Sequence, residues 1–353
     1  MEIKNLKIVE LASVLAGPSV GMFFAELGAK VVKIENKLTN GDVTRNWKLP
    51  NEKKDAISAY FSSINWGKEY LFIDYNNADE FAQILNLIKE ADIVIANFKA
   101  GGAQKFGLDY PSLKAINPKL IYAQLNGFKS NPKRVAFDVV LQAECGYMYM
   151  NGQPDSPPTK MPLALMDILA AHQLKEGILV ALLQRENTGK GAYVSSSLEE
   201  SAISSLANQA TNWLMNGKIP QRIGSLHPNI APYGDIFITK DNKELVLAIG
   251  SDAQFLKFCN LIKQKDIATN PLFATNASRV KNRKQLQETL TPAIQQYKLD
   301  FLIENCIELG IPMGAIKNMK EVFENPVAKE MILEEKINNQ VTKRVKTIAF
   351  EIE

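Results

Sequence analysis

The sequence predicts an α/β fold, a doubly wound Rossmann-like parallel sheet joined to a smaller α+β domain, and three observations carry that prediction. Short β-like runs alternate with helical patterns over the first 200 residues, the mark of consecutive βαβ units. The pattern then breaks into a stretch punctuated by Gly217, Pro220, Gly224, Pro228 and Pro232. Finally, 353 residues at ~150 per domain fill two domains, each long enough to bury a core.

Lys7–Leu11 is expected as the first strand. Pro18 stands where a helix accepts proline at its first position, and Gly28 closes that helix after Phe23, Phe24 and Leu27 supply an apolar face. Val31, Val32 and Ile34 form the second strand and Tyr70–Asp74 the third. In the following helix Phe81, Ile84, Leu85 and Ile88 share one side at spacings of three and four. Ile93–Ala96 and Leu120–Leu125 add strands. A helix over Ile168–Arg185 ends at Thr188-Gly189-Lys190-Gly191, strand Ala192–Ser196 follows, and Ser197 with Glu200 makes an S-x-x-E capping box. Tyr233–Thr239 and Glu244–Ile249, joined by Lys240-Asp241-Asn242-Lys243, read as a hairpin with helices after it up to about Leu309. Lys343–Ile352 has strand character without a neighbouring partner and is expected to pair elsewhere. The expected division is 1–200 with 331–353 as the large domain, 201–224 as linker, 225–312 as the small α+β domain and 313–330 as a return linker.

Composition narrows the function classes. Hydrophobic residues are 46% and charged residues 22%, too apolar for disorder. Lys plus Arg number 41 against 38 Asp plus Glu, and a net charge of +3 without a basic run predicts no nucleic-acid partner. Cys145, Cys259 and Cys306 are isolated thiols without CxxC spacing, and with two histidines the chain offers no recognisable metal site. The start, MEIKNLKIVEL, lacks a signal-peptide layout and no apolar run approaches the ~18 residues of a membrane span, so no membrane partner and a cytoplasmic location are expected.

A doubly wound sheet suggests a nucleotide ligand at the carboxyl ends of its strands, and a G-x-G-x-x-G turn would mark a dinucleotide site. Here the first turn is Leu15-Ala16-Gly17-Pro18-Ser19, which disfavours a dehydrogenase. Its plain reading is a tight turn, although the helix N-terminus that follows suits an anionic group.

Ala16-Gly17-Pro18, Leu27-Gly28-Ala29, Val31-Val32-Lys33-Ile34-Glu35, Gly41-Asp42 and Arg45 stand in the order and spacing of a known opening block. Asn65-Trp66-Gly67-Lys68, Ala91-Asp92, Asn97-Phe98, Gly107-Leu108-Asp109-Tyr110, Asn117-Pro118, Gly127-Phe128 and Gln142-Ala143 follow. Thr188-Gly189-Lys190-Gly191, His227 through Tyr233 and Gly310-Ile311-Pro312 complete the series. On these motifs the chain resembles the family III CoA-transferases, which include formyl-CoA and carnitine CoA-transferases and, as relatives, 2-methylacyl-CoA racemases. The resemblance covers nearly the whole chain.

It implies an aspartate nucleophile, carried here by Asp167 at the end of Met161-Pro162-Leu163-Ala164-Leu165-Met166. Without the family, an Asp before the apolar helix is most simply an N-cap. A carboxylate with a reference pKa near ~3.9 is expected to be ionised at neutral pH and to need no base. The implied chemistry is an aspartyl-acyl anhydride, then an aspartyl-CoA thioester, then transfer of CoA to an incoming carboxylate. CoA is therefore implied as part of the substrate, with no permanently bound cofactor.

The family positions for CoA map onto Leu15, Ala16, Asn36, Asn65, Lys68, Asn97, Phe98, Lys99, Lys105, Val135 and Asp138. Read alone, the lysines are equally well solvated residues on surface loops. Two departures stand out: Asn36 replaces an arginine common in relatives, and Trp66 interrupts their Asn-Arg-Gly-Lys run. Arg45 and Trp47 are implied at the acyl pocket, and the apolar Leu15 disfavours a highly charged acyl group such as oxalyl.

A racemase of this family carries His-Asp where this chain has Phe137-Asp138, so CoA transfer is the first expectation and racemisation the second. His172 is expected to be a helix residue on another face, and His227 to orient a loop. A CoA-binding protein without catalysis is the third alternative. The resemblance also implies an interlocked-ring homodimer, with the linkers 201–224 and 313–330 long enough to thread one chain through the other.

Overall fold

A computed structural model describes residues 2–337 and 339–352, and the chain divides into two compact units. The first takes the chain up to Tyr147, Lys160–Ile219 and the chain from Val327 onward; the second takes Met148–Thr159 and Pro220–Pro326.

The first unit is built on six parallel strands: β1 (Lys7–Glu10), β2 (Lys30–Asn36), β3 (Glu69–Ile73), β4 (Ile93–Ala96), β5 (Ile121–Asn126) and β6 (Ala192–Ser197). Their order, β3-β2-β1-β4-β5-β6, reverses direction between β1 and β4. That reversal opens a crevice at the carboxyl ends of the strands, where such sheets bind ligands. Both faces are covered. Ile8, Val31, Ile93, Ile95 and Ala123 pack under helices Ala16–Glu26 and Leu165–Thr188, while Val9, Val32, Ile34, Val94 and Tyr122 pack with Ile84, Ile88 and Leu113 on the other side. Strands buried on both faces read as unbroken apolar runs, which is why β4 is Ile-Val-Ile-Ala.

The Ala16–Glu26 helix begins two residues before Pro18, so proline occupies its third position instead of its first; its missing N–H is still one the helix start leaves unbonded. Gly21 is required by close approach, since a Cβ there would lie 1.9 Å from Glu10 Oε2. That carboxylate, wholly buried, pairs with two wholly buried lysines, Lys33 at 2.9 Å and Lys68 at 2.8 Å.

The chain from Val327 onward returns to this unit. β10 (Ile332–Ile337) and β11 (Gln340–Val345) form an antiparallel hairpin, so the final strand pairs with its sequence neighbour and not with a distant strand as expected. Arg344 pairs with Glu26, whose carboxylate also accepts the Thr347 and Ile348 N–H groups.

In the second unit β7 (Tyr233–Ile238), β8 (Glu244–Ala248) and β9 (Met313–Ala315) form an antiparallel sheet. Phe237, Leu245 and Leu247 bury one face of it with Phe255, Phe258, Leu290 and Leu302 from the helices. β9 occupies the start of the segment expected as a return linker: Leu245 and Leu247 present an unpaired edge that Met313–Ala315 completes.

Candidate active site

A cleft of about 550 Å³ opens at the carboxyl ends of β1, β4, β5 and β6. Asp167 lies in its wall with Ser13, Val14, Ala16, Trp47, Tyr60, Asn97, Phe98 and Lys99. The helix carrying Asp167 starts at Leu165 with Ala164 as its N-cap, which donates no side-chain cap. Asp167 is therefore a residue of the first helical turn and not the N-cap that the sequence suggested, and its carboxylate is left to the cleft.

Two neighbouring groups set that carboxylate's behaviour. Burial and the nearby Asp138 push its pKa up to about 7, against opposing hydrogen bonds from the Ala16 N–H and its own N–H. The expectation of a fully ionised carboxylate is thereby corrected: near neutral pH it is divided between its two forms. Ala16 is the first residue of the Ala16–Glu26 helix, so a helix N-terminus with its partial positive charge faces the carboxylate.

Asp138 begins the helix Asp138–Glu144 and accepts the Met166 N–H at 2.9 Å. Gln142, fully buried one turn later, donates to Asp138 Oδ2 at 2.7 Å and to the Leu163 carbonyl at 3.2 Å, and accepts the Met161 N–H at 2.7 Å. One glutamine thus fixes both ends of the Met161–Leu163 approach to Asp167. Asn97 performs the same service across the cleft, accepting the Ser13 N–H at 3.1 Å and donating to the Ser13 carbonyl at 2.8 Å. Trp47 and Tyr60 pack edge to face at 5.0 Å and form an aromatic wall. Burial, Asp167, Asp138 and Asp42 push the Tyr60 hydroxyl up to about 12, so it stays protonated and can donate.

The sequence model of CoA-transferase family III matches residues 3–353. The chain belongs to that family. Succinate–glutarate CoA-transferase of Agrobacterium fabrum is 34% identical over 331 residues, covering 92% of this chain and 82% of that protein. Acetyl-CoA:oxalate CoA-transferase of Acetobacter aceti is 32% identical, covering 93% and 85%. A solved CAIB/BAIF family protein from Brucella suis is similar in fold, with a TM-score of 0.86 at 38% identity over 99% of this chain and 92% of that one.

Within this CoA-transferase the structure brings together Asp167, Ala16, Trp47, Asn97, Phe98, Lys99, Val135 and Asp138 at one cleft. It places the other expected residues elsewhere. Lys68 is buried and donates to Glu10, to Asn65 Oδ1 at 2.9 Å and to the Pro18 and Ile64 carbonyls at 2.8 and 3.0 Å, so it has no proton left for a phosphate. Asn65, equally buried, is occupied by Lys68 and by the Phe61 carbonyl. Arg45 clamps Glu35 through two nitrogens and lies 3.8 Å over the Phe61 ring, away from the acyl pocket expected for it. Asn36 caps the turn Lys37–Thr39 by accepting the Leu38 N–H at 2.9 Å. Leu15 precedes the helix half-buried and outside the cleft lining, and Lys105 is exposed with its ammonium 5.3 Å from the Phe106 ring.

Lys133, Arg134 and Lys160 line the cleft and were not expected there. Lys133 and Arg134 follow Asn131-Pro132 in a loop with no periodicity, so nothing in their local sequence announces the site. Gln142 did carry a signal, a polar residue on the apolar side of a short helix. His172 is exposed on the Asp167 helix, and the His227 ring accepts the Asn229 N–H at 3.2 Å, holding its own loop. Among the described residues no cluster of His, Cys, Asp and Glu could hold a metal ion, and no helix is long and apolar enough to cross a membrane.

Proposed function

We propose that this chain moves CoA from an acyl-CoA thioester to a carboxylic acid, with Asp167 as nucleophile and as the residue that carries CoA between them. The observation that supports this reading is the half-buried Asp167 carboxylate in the cleft wall with the Ala16 N–H directed at it. An ionised Asp167 oxygen attacks the thioester carbonyl, the C–S bond breaks, and CoA leaves as thiolate beside an aspartyl-acyl anhydride. The thiolate then attacks the Asp167 carbonyl carbon, releasing the donor acid as carboxylate and leaving an aspartyl-CoA thioester. An incoming carboxylate displaces the thiolate to form a second anhydride. The thiolate attacks the acceptor's acyl carbon, and Asp167 is free again. Backbone N–H groups at the helix start, Ala16 among them, suit the oxyanion of each tetrahedral stage.

The substrates we infer are a dicarboxylic acyl-CoA and a dicarboxylic acceptor. Lys99, Lys133 and Lys160 line the cleft beside Trp47, Tyr60 and Phe98, with Arg134 paired to Glu144 at its rim, and we take these cations in place of the expectation drawn from Leu15 of a poorly charged acyl group. The cleft continues past Phe98 and Lys99 into a depression of about 320 Å³, which gives room for the long CoA arm.

The working form we infer is an interlocked homodimer. Helix Ala207–Asn216 exposes Trp213, Leu214 and Met215 at 52, 79 and 76%, an apolar surface suited to a second copy of the chain.

The test is to incubate the protein with glutaryl-CoA or succinyl-CoA and trap with hydroxylamine or borohydride. Peptide mass spectra are expected to mark Asp167, and Asp167→Ala to lose transfer while keeping the fold. Turnover retained in that variant overturns the mechanism. Racemisation is separated by running a 2-methylacyl-CoA in deuterated water: no α-deuterium is expected, because Phe137 offers no second acid-base group.

A further inference from the structure

Val14 has φ +74°, a left-handed conformation that a β-branched side chain adopts only when its surroundings impose it. It sits in the cleft lining, two residues before Ala16. The constraint comes from a side chain 28 positions away. Both oxygens of Asp42 accept the Val14 N–H, Oδ1 at 3.3 Å and Oδ2 at 3.2 Å. Asp42 is itself fixed on every side. Its Oδ1 accepts the Thr44 N–H at 3.0 Å and the Thr44 hydroxyl at 2.8 Å, its Oδ2 lies 3.1 Å from the Lys33 ammonium, and its N–H donates to Glu35 at 2.7 Å.

The neighbouring turn residues are held in the same way. Lys33 donates to the Ala12 carbonyl at 2.7 Å, and Asn97 takes both backbone groups of Ser13. Ala12, Ser13 and Val14 are thus each tied by a different side chain, but only Val14 is held against its own conformational preference.

We propose that Asp42 is a positioning residue for the reaction, holding Val14 left-handed so that the turn delivers the Ala16 N–H to the Asp167 carboxylate. Asp42 touches no substrate; it acts through the backbone. This rests on the reading of Asp167 as nucleophile, but the geometry it concerns can be measured without turnover. Burial alone would raise the Asp42 carboxyl; Lys33 and the two Thr44 donors more than offset that and keep it below the usual carboxylate range.

The experiment compares Asp42→Ala, Asp42→Asn and Asp42→Ala combined with Val14→Gly. Glycine takes φ +74° without strain, so it makes the turn accessible when the anchor is gone. For Asp42→Ala we expect kcat to fall by about tenfold to hundredfold, as for small misplacements of catalytic geometry, with KM for acyl-CoA within about threefold. Asp42→Asn keeps an acceptor and loses less. Val14→Gly recovers about tenfold of the kcat lost in Asp42→Ala. The second readout is the Asp167 carboxyl titration, followed by ¹³C NMR and assigned with Asp167→Asn. Removing the Asp42 charge acts on Asp167 in the downward direction, whereas losing the Ala16 donor moves its midpoint up; upward movement is expected. The groups that face Asp167 otherwise, Asp138 from its helix, Tyr60 from the aromatic wall and Lys160 ahead of the Asp167 helix, are unchanged in these variants. Should Asp42→Ala not fold, Thr44→Val, which removes a donor orienting the same carboxylate, carries the comparison with and without Val14→Gly. A folded variant with unchanged kcat and an unchanged or lowered Asp167 midpoint overturns the proposal, and so does failure of Val14→Gly to recover activity. If Asp167→Ala instead retains turnover while Asp42→Ala still moves the Asp167 midpoint upward, the nucleophile reading fails and the positioning geometry stands.

Discussion

The Asp138 carboxylate accepts the Met166 N–H at 2.9 Å, so the acid that holds the start of the Asp167 helix in place also burdens Asp167 with its negative charge. Asp138 thus contributes to position and to proton affinity, where it adds to the larger effect of burial. Asp138→Asn keeps an acceptor for Met166 and removes the charge, at the cost of the Gln142 hydrogen bond to Oδ2. The acid limb of the pH–rate profile is expected to move down from about 7 by roughly half to one unit, with maximal kcat changed less than about threefold. An unmoved limb would show that Asp138 is not what raises Asp167.

Stability should depend on Asp167 with the opposite sense to activity. Its pKa is raised from 3.8 to about 7 by folding, so the native state holds the proton more tightly than the unfolded chain. The Asp167 contribution to stability is therefore fully present below about 4 and is lost as pH rises through about 7. Asp167→Asn removes this penalty, and after discounting for partial exposure the gain is about 1–3 kcal/mol at pH 8 and close to zero at pH 4. Denaturant melts at the two pH values check it.

Lysines divide into structural and ligand-facing sets. Lys68→Met strands part of the Glu10 charge in a dry site and is expected to cost about 3 kcal/mol of stability, with KM for acyl-CoA changed less than about twofold in the protein that remains folded. Lys99→Ala and Lys133→Ala should do the reverse, raising KM several-fold with melting temperature unchanged. Denaturant melts and steady-state kinetics on the same preparations decide between them.

Helix Ala207–Asn216 should be buried in the active assembly. Light scattering at micromolar concentration is expected to give twice the chain mass of 39.3 kDa, and Leu214→Glu with Met215→Glu to lower it or to leave the chain insoluble. A monomer mass for the unaltered protein would refute the dimer.

Strand positions were legible because buried parallel strands announce themselves as apolar runs: β4 falls on Ile93–Ala96 as expected, and β5 and β6 are each shifted or extended by one residue. The Asp167 helix starts at Leu165, three residues before the expected Ile168, because Asp167 lies inside the first turn and does not cap it. Lys68 misled for a different reason. Sequence shows a lysine's charge but not its burial, which depends on Glu10 and Asn65 arriving from other elements. A clue did exist. Glu10 interrupts an apolar strand, and in the parallel register it stands beside Lys33, so a buried ion pair was written into β1 and β2. The raised Asp167 acid had no such trace, since it comes from burial and from Asp138 across 29 residues of chain.

The pairing of Glu26 with Arg344 joins positions 318 apart, and it has a meaning for the order in which the chain is made. All six parallel strands have been translated once Ser197 is added to the chain. Arg344 is then still about 150 residues from synthesis, about 7–30 s at ordinary elongation rates. During that interval the nascent sheet holds a carboxylate whose closing partner does not yet exist, in a place that the finished protein leaves only 3% exposed. Arg344 thus brings a clasp to the much earlier Ala16–Glu26 helix, and a ribosome stalled anywhere in Pro220–Pro326 releases a sheet that is complete in its strands and open at Glu26.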